Sequence, residues 1–177
     1  MSLPNRRSVL RLGLTAGLAS GLAACFKPLY GPTASGQNLS SVLASIDVEK
    51  MMMPLDLEEL GHELRSELVY QLNGSGIPAP KRYKLKLNYN QRLSNPIIDA
   101  ETGRATTASV TGAVDYTLLD SDGKTVVTKG RVDALVTYER PAQRFASLRA
   151  RRDANRRLGK ELAGHIKNRL AMALSAR

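Results

Sequence analysis

The chain has 177 residues and a formal net charge of +10, from 26 Lys+Arg against 16 Asp+Glu, with one Cys, two His and no Trp. A single cysteine excludes an internal disulfide framework, and two histidines beside it are too few for a thiolate-rich zinc site. The length permits one domain of ordinary size, large enough to bury a core without covalent staples.

The N-terminus reads in three parts: Asn5, Arg6, Arg7 and Arg11 with no acidic residue, an apolar stretch over residues 12–24, and small residues before Cys25. This is the pattern of a cleaved signal peptide. The apolar stretch falls short of the ~20 residues a spanning helix needs, and Gly13, Gly17 and Gly21 interrupt it. Leu22-Ala23-Ala24-Cys25 resembles the lipobox of bacterial lipoproteins, which implies cleavage before Cys25 and acylation of that residue. One acyl chain holds a protein only marginally, whereas two or three anchor it stably. Arg6-Arg7-Ser8-Val9-Leu10-Arg11 resembles a twin-arginine export motif as much as an ordinary basic leader, so both export routes stay open. Phe26, rather than Asp, follows the anchor, and by resemblance this implies the outer membrane.

Residues 26–41 are rich in Pro, Gly and Ser and read as a tether. Residues 42–49 alternate, with Ile46 and Val48 on one face, and predict a first strand. Asp56 and Glu59 have capping-box spacing. Leu57, Leu60, Leu64, Leu68 and Leu72 then recur at three- and four-residue intervals, an amphipathic helix closed by Asn73-Gly74. Tyr83, Leu85, Leu87 and Tyr89 alternate with Lys84, Lys86, Asn88 and Asn90, the period of a strand with one buried face. After a polar interval containing Asn95-Pro96 and Thr102-Gly103, residues Ala108, Val110, Gly112, Val114, Tyr116 and Leu118 share the apolar face of a third strand. Asp120-Ser121-Asp122-Gly123 predicts a turn into a fourth strand over residues 126–138, paired as an antiparallel hairpin. From about Gln143 a long helix follows, with Phe145, Leu148, Leu158, Leu162, Ile166, Leu170 and Leu174 at helical spacings.

The predicted fold is therefore α+β: a two-layer sandwich of one four-stranded sheet with two helices on one face, in the order β-α-β-β-β-α. Residues 1–24 form the signal peptide, 25–41 the lipidated tether and 42–177 a single domain. Residues 25–140 carry 13 Lys+Arg against 14 Asp+Glu, while 141–177 carry 10 against 2, so the basic excess belongs to the last helix. Arg149, Arg151, Arg152, Arg156 and Arg157 crowd its first half. His62 and His165 lack companions at metal-ligand spacing and read as surface or cap residues. No phosphate loop and no nucleophile elbow occurs. Neither a cofactor nor catalysis is expected, and export removes nucleic acid as a partner.

Cys25-Phe26-Lys27-Pro28-Leu29-Tyr30-Gly31 is similar to the opening of the alphaproteobacterial LptE family of lipopolysaccharide-assembly lipoproteins, apart from the Gly that usually follows the cysteine. Residues 145–154, continuing through Arg156, Leu158, Leu162 and Arg169, resemble that family's last helix. The resemblance implies an outer-membrane lipoprotein that helps assemble and plugs the LptD β-barrel and binds lipopolysaccharide. No ligand residue transfers by motif. By position, Arg92 and Arg104 around the loop between the second and third strands, and Lys124 in the hairpin turn, are expected to meet lipid A phosphates. The alternative is a generic outer-membrane adaptor whose basic helix lies on anionic headgroups.

Overall fold

The computed structural model describes residues 36–176 apart from 75, 77, 78, 95, 96, 99 and 102. The expected signal peptide, Cys25 and the family-like opening lie outside the described residues. The elements are α1 (Leu39–Ala44), β1 (Ile46–Val48), a 3-10 turn (Leu55–Leu57), α2 (Glu58–Leu72), β2 (Tyr83–Ser94), β3 (Thr107–Asp120), β4 (Val126–Glu139) and α3 (Arg144–Ser175). The four strands form one sheet in chain order, with β1 parallel to β2 and the other pairs antiparallel. The expected architecture stands, with a short helix added before it.

That helix replaces the first half of the predicted opening strand and the end of the predicted tether. Asn38 caps it, its side-chain oxygen accepting from the Ser40 backbone N–H at 3.0 Å. Leu39 and Leu43 then fall one turn apart and both are buried. Local capping and a four-residue apolar interval outweigh the weak alternation that suggested a strand. Only Ile46 to Val48 remain extended. The predicted capping box before α2 does not form either: Leu57 occupies the cap position without a side-chain hydrogen bond, and Asp56 belongs to the 3-10 turn.

The core lies between the sheet and the α2–α3 layer. Leu60, Leu64, Leu68 and Leu72 line one face of α2, and Leu158, Leu162, Ile166, Leu170 and Leu174 line α3, all buried. Burying each such side chain stabilises the fold by about 1.5–3 kcal/mol. The helices approach closely where Gly159 of α3 meets the backbone of Leu64. Against them the sheet presents Leu85, Ala108, Val110, Val114, Tyr116, Leu118, Val132, Ala134 and Val136. In the sheet Gly130 lies opposite Tyr116, and a Cβ there would sit 2.6 Å from the tyrosine hydroxyl, so the ring covers the glycine.

The two ends of α3 have different surroundings. Its buried positions begin at Ala154, so the predicted core positions Phe145 and Leu148 are instead 83% and 47% exposed. Helical spacing marks a continuous stripe, but the sheet ends before the stripe does. Farther along, α3 runs antiparallel to β4 and guards its outer edge. Arg157 donates to the carbonyl of Thr137 at 3.3 Å, and His165 Nδ1 donates to the carbonyl of Asp133 at 3.2 Å. Eight residues of helix rise about 12 Å and four of strand about 13 Å, so these contacts repeat in step. His165 is thus an exposed mid-helix residue, as expected of a surface histidine, and its Nδ1 carries a proton in this contact because a carbonyl can only accept.

Candidate functional site

Among the described residues no helix covers the polar face of the sheet. In register across it lie Lys86, Thr117 and Lys129, then Asn88, Asp115 and Arg131, then Arg92, Thr111 and Leu135. Asp115 and Arg131 form an exposed, long ion pair at 3.9 Å. A pair of that kind contributes at most about 1 kcal/mol, so this face is polar rather than strongly bound to itself.

The structure separates the three expected ligand cations. Lys124 sits in the β3–β4 turn, at one end of the sheet. There Asp122 accepts from the backbone N–H groups of Lys124 and Thr125 at 2.8 and 2.9 Å, and from the Thr125 hydroxyl at 2.6 Å. These bonds, the Thr125 hydroxyl foremost, hold the Asp122 carboxyl below its usual range. Arg104 lies at the opposite end, beyond Thr107, about 40 Å away along the length of β3. Arg92 is exposed on the open face of β2 opposite Thr111 and does not line the cleft that holds Arg104. No single headgroup could meet all three.

What converges at the far end is a different set. Arg104, Arg140 and Arg144 line an open cleft of about 620 Å³ with Ala105, Thr106, Pro141, Ser147 and Leu148. Arg140 is brought there as β4 ends, its backbone N–H donating to Thr106 O at 2.7 Å, and Pro141 then turns the chain into α3. The first turn of α3 holds no acidic residue and no side-chain cap, so its N–H groups add partial positive charge. Around this end, exposed Ile97, Ile98 and Phe145 join Leu148. Cations and bare apolar side chains therefore share one tip. Arg140 and Arg144 escaped the sequence reading because each looked like a boundary residue beside Pro141, and only the pairing of the β2–β3 loop with the end of β4 brings them to Arg104.

The helix arginines face elsewhere. Arg152 reaches Glu59 at 3.7 Å and Arg156 reaches Glu63 at 3.5 Å, across the α2–α3 seam, while Arg157 pairs with Asp153 at 2.9 Å. Part of the excess charge is thereby answered within the domain. A second groove, of about 780 Å³, is lined by Lys50, Met51, Met52, Met53, Glu58, Gly61, His62 and Arg65. Among the described residues no group of three His, Cys, Asp or Glu side chains is placed to hold a metal, and no helix is long and apolar enough to cross a membrane.

Comparison with known proteins is consistent with this geometry. Residues 43–170 match the family model described as LptE, lipopolysaccharide-assembly. A crystal structure of a lipoprotein from Caulobacter crescentus is 31% identical, with TM-score 0.61, covering 78% of this chain and 97% of that one. Rare lipoprotein B from Shewanella oneidensis shares the fold, with TM-score 0.50 at 15% identity, over 72% of this chain and 92% of that one. No curated protein matches at a significant level.

Proposed function

This chain belongs to the LptE family of lipopolysaccharide-assembly proteins, and from that membership we propose that it assists assembly of, and plugs, an LptD-type outer-membrane barrel and binds lipopolysaccharide in transit. The match over residues 43–170 carries the proposal, since it takes in the whole of β2–β4 and α2 together with most of α3. Acyl chains on Cys25 would hold the protein to the periplasmic face of the outer membrane. The uncovered polar face of the sheet would lie against the hydrophilic bore of a barrel.

Lipopolysaccharide joins phosphates to acyl chains, and the tip formed by Arg104, Arg140, Arg144, Phe145 and Leu148 offers both kinds of contact within one cleft region. Guanidinium groups suit phosphate because they present paired donors in a plane. The tip is therefore proposed as the ligand site ahead of the set Arg92, Arg104 and Lys124, whose members lie apart. The alternative, a membrane adaptor using the basic helix, loses weight because Arg152 and Arg156 are turned toward Glu59 and Glu63.

Mild-detergent purification of the tagged protein tests the plug role. The barrel is expected to co-purify in a fixed ratio, and depletion of the protein should lower both folded, correctly oxidised barrel and surface lipopolysaccharide. Normal levels of both after verified depletion overturn the proposal.

A further inference from the structure

The two edges of the sheet are treated differently. On the β4 side, Arg157 and His165 occupy edge carbonyls. On the other side, β1 covers β2 only from Tyr83 to Leu85, and the last bond runs from Glu49 N–H to Leu85 O at 3.0 Å. Because backbone groups alternate direction along a strand, Leu87, Tyr89, Gln91 and Leu93 point their N–H and C=O groups the same way as Leu85. Among the described residues nothing bonds to them there.

Such an edge is usually blunted by a bulge, a proline or inward-facing charge. Here β2 pairs with β3 without interruption from Tyr83 to Ser94, and it contains no proline. Of its three cations, Lys84 lies in the portion that β1 already covers, and Lys86 and Arg92 lie beyond it. The open stretch beyond Leu85 shows Lys86, Asn88, Asn90 and Arg92 on the polar face, all exposed, and Leu87, Tyr89, Gln91 and Leu93 on the other, with Leu93 55% exposed. No acidic residue occurs in β2.

We propose that the open edge of β2 accepts an extended segment of a partner protein as an added strand in line with β1. Acidic side chains of that segment would face Lys86 and Arg92, and apolar ones would alternate onto the side of Leu87 and Leu93. Main-chain bonds would supply the pairing, and the alternating side chains the selectivity. Charge disfavours a second copy as the occupant. Two β2 strands paired about Tyr89 set Lys86 against Arg92 on both sides of the axis, and in any register the polar face would hold cations from both strands and no carboxylate. This inference does not depend on the lipopolysaccharide-assembly role.

The probe is a capped, fluorescein-labelled seven-residue peptide alternating glutamate and valine, added to the full-length protein in mild detergent. A lysine–valine peptide serves as its counterpart. The glutamate peptide should bind saturably and about tenfold or more tighter than the lysine peptide. It should also slow hydrogen exchange at the amides of Leu87, Tyr89 and Gln91 while leaving Asn88 and Asn90, whose amides already face β3, unchanged. Gln91→Pro removes an outward N–H without touching the bonds to β3, and should weaken binding about tenfold where Gln91→Ala changes it less than about twofold. If the proline variant fails to fold, the parent's exchange pattern decides, together with Lys86→Glu/Arg92→Glu, which should reverse the preference between peptides. Absence of saturable binding, equal binding of both peptides, or protection elsewhere overturns the proposal. Concentration-dependent self-association that protects the same amides without peptide also overturns it, in favour of a second copy.

Discussion

Replacing Arg104, Arg140 and Arg144 together by alanine should cost binding to purified lipopolysaccharide, and the structure bounds how much. All three residues are exposed, so each pairing with a phosphate is worth at most about 1 kcal/mol, well below the value of a buried bidentate pair. Losing three such contacts amounts to about 1–3 kcal/mol, or about 5- to 150-fold in affinity. Lys124 lies about 40 Å from the cleft, several times the ~8 Å over which charge is felt at physiological salt, so Lys124→Ala should change affinity less than about twofold. Displacement of fluorescent lipopolysaccharide, followed by anisotropy at physiological salt, measures both. Circular dichroism checks that the variant keeps its overall fold, and slow hydrogen exchange at the residue 140 amide checks that its backbone bond to Thr106, which alanine retains, is still made. The triple variant's affinity should also depend less steeply on salt. Parental affinity in the triple variant, or an equal loss in Lys124→Ala, would refute placement of the ligand at this tip.

Three further outcomes are expected. Gly130→Ala should destabilise the domain by about 1–3 kcal/mol, because the buried Tyr116 ring occupies the space a Cβ needs; chemical denaturation should show Tyr116→Leu relieving part of that loss. Burial raises the Tyr89 phenol to about 12, so the stability this group contributes is fully present below about pH 10 and is lost as pH rises through the folded value. Alkaline titration by phenolate absorbance should accordingly lose its latest component in Tyr89→Phe, and an unchanged profile would contradict the burial of that ring. Finally, Cys25→Ser should abolish incorporation of labelled fatty acid, and equal labelling of variant and parent would rule out the anchor.

Much of the fold was legible because its determinants are local and periodic. The alternation of β3 and β4, the turn at residues 120–123 and the leucine ladder of α2 each name an element and its buried face. The opening helix was not legible: six residues give too short a window for a period, and its cap is a single Asn38 side chain. Nor could spacing reveal that Phe145 and Leu148 leave the core, since burial there depends on where a sheet distant in sequence ends. The cleft was harder still. Arg104 stood out as a loop cation, but its union with Arg140 and Arg144 is set by tertiary pairing, and no pattern within any one segment encodes it.

The guarded edge of β4 also limits what the sheet can build. Growth by strand addition into a chain of like units needs two free edges, one to receive and one to offer. With Arg157 and His165 seated on the carbonyls of Thr137 and Asp133, the outer edge of β4 is partly occupied by side chains of α3, whereas among the described residues β2 beyond Leu85 carries no such guard. A neighbour paired at β2 therefore meets, at the far edge of the same sheet, two carbonyls already taken, and relay onward as a fibre is hindered there.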